Sequence, residues 1–162
     1  NVRGAGLTVV MEDSLADFGS GIDLNNYLVH DEDILKVVNE LKSAGAEAIS
    51  VNNQRIISTS EIRCAGTTIF INGERIGAPF TIKAIGDPAL LESAMTMRGG
   101  NVDILKEWGI RFTITRESDI VITKYNKAIS SKYLTTVTED MTSNSTSTSQ
   151  VSLFKPKKDD VG

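Results

Sequence analysis

The chain has 162 residues, of which 40% are apolar and 23% charged, a net charge of −4 and a pI near 5.0. That length supports one domain with its own core and is too short for two, and the aromatic share of 6% leaves that core to Ile, Val, Leu and Ala. The acidic balance, with no compensating basic stripe, repels phosphate backbones and argues against nucleic acid as a partner. Cys64 is the single cysteine, which excludes an internal disulfide and a cysteine-based metal site. No apolar run approaches the roughly 20 residues that span a bilayer. The chain begins at Asn1 and enters a strand within a few residues, so it reads as an excised fragment whose natural N-terminus, with any anchor, is missing.

Gly4-Ala5-Gly6-Leu7-Thr8-Val9-Val10-Met11 reads as a tight entry and a β-branched strand that ends at Glu12-Asp13. Ser14 to Asn26 follows neither hydrophobic period and is expected to be a long surface loop, with Tyr27-Leu28-Val29 as a short strand after it. Asp31 is the expected N-cap of the clearest helix, with Glu32 and Asp33 where the helix dipole favours anions. Ile34, Val37, Val38 and Leu41 give that helix its apolar stripe, and Gly45 ends it. Ala46 to Val51 is the next strand, expected to lie parallel to the first in one sheet as a βαβ-like unit. Asn72-Gly73 between apolar runs predicts an antiparallel hairpin. Phe80, Ile82 and Ala84 mark one face of a further strand. Asp87-Pro88 caps a helix expected to run through Met97, with Leu90, Leu91, Ala94 and Met95 inward. A short helix from Val102 to Trp108 ends at Gly109, with Trp108 expected in the core. Ile110, Phe112 and Ile114 face inward from the last core strand, and Ile120-Val121-Ile122 adds an edge strand. Met141 to Gln150, almost wholly Ser, Thr and Asn, cannot bury enough apolar surface to fold alone.

Gly4 to Val9, Val38-Asn39-Glu40-Leu41, Gly45 to Asn52, Gln54-Arg55-Ile56, Cys64-Ala65-Gly66, Asn72-Gly73 and Pro79 to Asp87 together resemble the DUF881 family of bacterial proteins, over roughly residues 4 to 125. The resemblance implies an α/β (α+β) ferredoxin-like plait, a mixed sheet with helices packed on one face. It places the domain in residues 1–125, followed by a flexible Ser/Thr-rich extension over 126–162. It also implies a single-pass membrane protein with this domain outside the cytoplasm, loosely associated with division and sporulation. The family supplies no catalytic residues.

Five residues stand out as binding candidates. His30 and Asp31, beside Glu32 and Asp33, form the kind of grouping that holds a metal or shares protons, although an acidic first turn gathers the same residues for capping alone. Asn52, Gln54 and Arg55 sit at a strand end, where Arg55 could take a partner carboxylate in bidentate fashion or pair internally with Glu47 or Glu61. Cys64 lacks an adjacent base and reads as a buried, inert thiol. No catalytic residue, metal ligand set or cofactor is assigned. The resulting expectation is a non-enzymatic, extracytoplasmic interaction module that meets a protein or cell-wall component, or pairs with a second copy through a sheet edge. The alternatives are a metal-assisted hydrolase or a small-molecule-binding regulatory domain that uses His30 and its neighbouring carboxylates.

Overall fold

Leu7, Val9 and Met11 alternate along strand β1 (Val2–Glu12) and are wholly buried, so one face of this strand lines the core. The computed structural model describes residues 1–14 and 28–135. The expected loop from Ser14 to Asn26, apart from Ser14, lies outside the described residues, as do Tyr27 and the Ser/Thr-rich stretch after residue 135. Leu28 and Val29 form no strand. Instead, the Val29 amide donates to Asp13 Oδ1 at 2.9 Å.

Helix α1 (Asp31–Ser43) follows, and its N-cap is His30 rather than Asp31. The Asp33 carboxylate accepts the His30 amide at 3.0 Å, which is why the helix starts one residue earlier than the acidic run suggests. At the other end Gly45 adopts φ +90°. The Ala46 amide then reaches Leu41 O at 2.9 Å and the Gly45 amide reaches Lys42 O at 3.1 Å, a Schellman closure. Ile34, Val37, Val38 and Leu41 are buried as expected, each contributing about 2 kcal/mol over exposure.

Strand β2 (Ala48–Val51) and the two-residue β3 (Gln54–Arg55) form a tight hairpin, and β7 (Phe80–Ile85) enters between β2 and β1. The five-stranded sheet has the order β3-β2-β7-β1-β8, with β8 spanning Arg111–Ile122. Every neighbouring pair is antiparallel. β1 and β2 are therefore parallel, as expected, but separated by β7, and β7 and β8 are parallel but separated by β1. The sheet is thus antiparallel rather than mixed in its hydrogen bonding, because two split β-α-β units interleave. The second unit carries helices α2 (Pro88–Met95) and α3 (Asn101–Glu107).

Helices α1, α2 and α3 share one mainly aliphatic core with the same sheet face. Asp87 Oδ1 accepts the Ala89 and Leu90 amides at 2.8 and 3.2 Å, and Pro88 opens α2. This helix ends two residues before the expected Met97, and Leu90 is exposed while Leu91 and Met95 are buried. At the end of α3, Gly109 (φ +88°) makes a second Schellman closure that brings Ile110 back over Leu105.

The two predicted terminal strands are one strand. Ser118 and Asp119 of β8 oppose the single Ala5 of β1, a bulge. Phe112 and Ile114 pack on the helix side before it. After it, Ile120 and Ile122 join Ala48 and Ile85 in a separate buried cluster.

A second, three-stranded sheet lies in the chain between β3 and β7. It comprises β4 (Ile62–Ala65), β5 (Thr68–Ile71) and β6 (Glu74–Ile76) in that order, both pairs antiparallel. Asn72-Gly73 closes the expected hairpin with φ +52° and +77°. Ile69 and Ile71 are buried in the main core, which makes this sheet a further wall of it. Residues 1–126 form the compact unit that holds every described helix and strand. Residues 127–135 carry no helix or strand.

Candidate functional site

The first group of candidate residues sits at the start of α1. Asp31 Oδ2 accepts the Cys64 amide at 2.8 Å and Asp31 Oδ1 accepts the Glu32 amide at 2.9 Å, while the Asp31 amide donates to Cys64 Sγ at 3.3 Å. The acid expected to cap the helix instead fastens it to the edge of β4. Burial raises the Asp31 carboxyl, but hydrogen bonds from the Cys64 amide and thiol and from the Glu32 amide outweigh it, leaving a net downward shift. Cys64 is exposed rather than buried, on β4 at the edge of the small sheet. Its thiol is nonetheless pushed up, first by loss of solvation around the sulfur and then by the Asp31 charge, which makes it a weak nucleophile at neutral pH.

His30 Nδ1 lies 3.8 Å from Asp33 Oδ2, and Lys36 Nζ lies 3.6 Å from Asp33 Oδ1. His30 faces a groove of about 290 Å³ between the α1 terminus and α3, lined also by Leu28, Lys36, Ile104, Trp108 and Ile110. The groove floor is apolar, with Leu105 and Ile110 buried beneath it, and its rim is charged. Trp108 is 59% exposed and Ile104 45%. The expected core position of Trp108 is not met. Trp108 stands outside as the C-cap of α3, one position beyond the last helical residue, Glu107. The signal that could have found it is Gly109 directly after it, which marks Trp108 as the end of the helix.

The second group lies elsewhere. Asn52 and Asn53, at φ +43° and +66°, form the two-residue turn between β2 and β3. Asn52 Oδ1 accepts the Thr81 amide at 2.7 Å, Asn52 Nδ2 donates to Pro79 O at 3.1 Å, and the Asn52 backbone amide reaches Thr81 O at 2.9 Å. Its side chain is thereby committed to holding the start of β7 against the turn. Asn52, Asn53, Thr81 and Lys83 line a separate pocket of about 240 Å³. Gln54 is paired with Val51 in the hairpin. Arg55 and Lys83 each pair with Ser50 and so share the sheet face away from the helices. The Arg55 guanidinium forms no ion pair with Glu47 or Glu61, while its carbonyl takes Asn72 Nδ2 at 2.9 Å. The structure therefore brings His30 to Asp31 and Asn52 to Arg55, but the groove and the turn pocket share no lining residue.

The described residues form an α+β domain of two antiparallel sheets and three helices, with an apolar groove at one helix terminus. It belongs to the DUF881 family, described as a bacterial protein of unknown function, whose pattern covers residues 1–135. It is 38% identical over 119 residues to UPF0749 protein YlxW of Bacillus subtilis (strain 168), covering 74% of this chain and 51% of that protein. UPF0749 protein Rv1823 of Mycobacterium tuberculosis (strain ATCC 25618 / H37Rv) is 33% identical over 105 residues, covering 61% of this chain and 34% of that one. The chain thus spans about half or less of the length of these curated relatives. A crystal structure of an uncharacterized conserved protein from Mycobacterium tuberculosis matches with a TM-score of 0.67 at 26% identity, covering 84% of this chain and 90% of that one.

Proposed function

We propose that this domain is a non-enzymatic protein-interaction module, carried outside the cytoplasm of a bacterial cell by a membrane anchor elsewhere in the full-length protein. The observation that carries the interaction reading is the groove rimmed by exposed Trp108 and Ile104 over buried Leu105 and Ile110. A large aromatic side chain held in solvent beside an apolar floor is the type of residue that dominates binding energy when a partner covers it. The anchor, the extracytoplasmic side and a role in division or sporulation are supported by the family resemblance. The partner is a protein, a cell-wall component or a second copy of the chain.

No specific observation favours the metal-assisted hydrolase. Asp31 and Asp33 commit carboxylate oxygens to the amides of Cys64, Glu32 and His30, and no three His, Cys, Asp or Glu side chains converge among the described residues.

The test is a photo-crosslinking amino acid placed at Trp108 or Ile104 of the full-length protein in its own cells, with Thr113 as an exposed control position. A discrete crosslinked protein from positions 108 and 104, absent from 113, is the expected result. Equal labelling at all three positions would sink the reading. A membrane-impermeant maleimide directed at exposed Cys64 in intact cells reads the sidedness, with labelling expected before lysis.

A further inference from the structure

Alternation along the small sheet turns Ile62, Ile69, Ile71 and Ile76 toward the core, so Arg63, Phe70 and Arg75 share the opposite, outer face. Arg63 stands directly across from Phe70 on one side, and Arg75 stands across from it on the other. Both guanidiniums lie over the Phe70 ring, their central carbons 4.7 and 5.0 Å from its centroid. Neither arginine ion-pairs with an acid among the described residues, although acids outnumber bases 21 to 17 in the chain.

We infer that this face is a docking surface for an acidic segment of a partner protein, whose carboxylates are received by the guanidiniums of Arg63 and Arg75. The inference deepens the interaction-module reading and rests on it. Neither guanidinium donates a hydrogen bond among the described residues, so the five N–H donors of each remain open, in a fork that matches a carboxylate in bidentate fashion. Phe70 fixes both forks in place, which lowers the entropy lost when they are engaged. The same placement covers the ring, so it cannot serve as a platform for a base or a sugar. A phosphate polymer is bound through an extended row of cations, whereas here there are two, on a chain whose net charge of −4 opposes a long polyanion. Two forks fit a pair of acidic side chains.

The experiment is fluorescence anisotropy of a dye-labelled six-glutamate peptide with the 162-residue chain, with a six-glutamine peptide and inorganic polyphosphate as comparisons. The glutamate peptide is expected to bind in a salt-dependent way. Arg63→Gln and Arg75→Gln are each expected to weaken it roughly fivefold, whereas Lys124→Gln, an equal change of charge elsewhere, leaves it within about twofold. Arg63→Lys and Arg75→Lys keep the charge but lose the fork, and are expected to weaken binding as well. Thermal melts verify that each variant is folded. Absence of binding to the unaltered chain, unchanged binding by the Arg63→Gln/Arg75→Gln double variant, or arginine-dependent binding of polyphosphate in preference to the peptide would each overturn the inference. A Trp108 crosslink that persists in such a case leaves the module itself standing.

Discussion

Asp31 and Cys64 grip each other twice, the carboxylate taking the Cys64 amide at 2.8 Å while the Asp31 amide points at the sulfur 3.3 Å away. The carboxyl is held below its ordinary 3.8, so its stabilisation is complete above the unfolded-state value and is lost as pH falls through the lower folded one. Denaturant unfolding of Asp31→Asn is therefore expected to depend less on pH than that of the unaltered chain, between about pH 5 and pH 2. The same substitution removes a negative charge beside a thiol whose pKa is raised. Iodoacetamide should then alkylate Cys64 faster in the variant at mildly alkaline pH, and an unchanged rate would refute the coupling.

Two glycines of β1 separate a tolerable site from an intolerable one. A Cβ on Gly6 would stand 1.9 Å from Ala84 O, which is backbone, whereas on Gly4 it would meet only Ile85 Cγ2 at 2.8 Å. Gly6→Ala should cost more than about 3 kcal/mol or abolish folding, and Gly4→Ala about 1 kcal/mol, since a side chain can give way. Equilibrium urea unfolding distinguishes them, and similar losses would show that the bulge does not require this close approach.

Asn52 combines a positive φ with a side chain engaged at both ends. Asn52→Ala is expected to lose about 2–4 kcal/mol through two broken hydrogen bonds and a strained turn. Asn52→Gly should recover the turn's share alone. Asn53, at φ +66°, has no such double engagement, and Asn53→Gly should be neutral or stabilising by less than about 1 kcal/mol. Thermal unfolding of the three variants orders them.

Trp108 is the chain's single tryptophan. Its exposure of 59% predicts fluorescence that acrylamide quenches readily in the free domain and poorly once a partner covers the groove. Trp108→Ala should cost less than about 1 kcal/mol of stability, far below the 3–5 kcal/mol of a core tryptophan. A large loss would return the residue to the core.

Helix α1 was legible because Ile34, Val37, Val38 and Leu41 keep a helical period and are all buried. The Asn72-Gly73 hairpin was legible because Gly permits the turn at no steric cost. The Asn52-Asn53 turn was not, because neither residue is glycine and β3 is only two residues long, so the turn read as the polar end of a strand. The continuity of β8 was hidden for a different reason. Phe112, Ile114, Ile120 and Ile122 are all even-numbered, yet the bulge at Ser118 and Asp119 moves the last two to the other side of the sheet. The groove needed three dimensions, since Trp108 is distant in sequence from Leu28 and His30 and broke the rule that large aromatics turn inward.

The small sheet shares its buried isoleucines with the sheet-and-helix core, Ile69 and Ile71 packing in the same cluster as Leu7 and Leu41. It is consequently no detachable ornament. Stripping it away would lay bare the hydrocarbon interior, so loss of the hairpin that carries Ile69 and Ile71 amounts to loss of the domain.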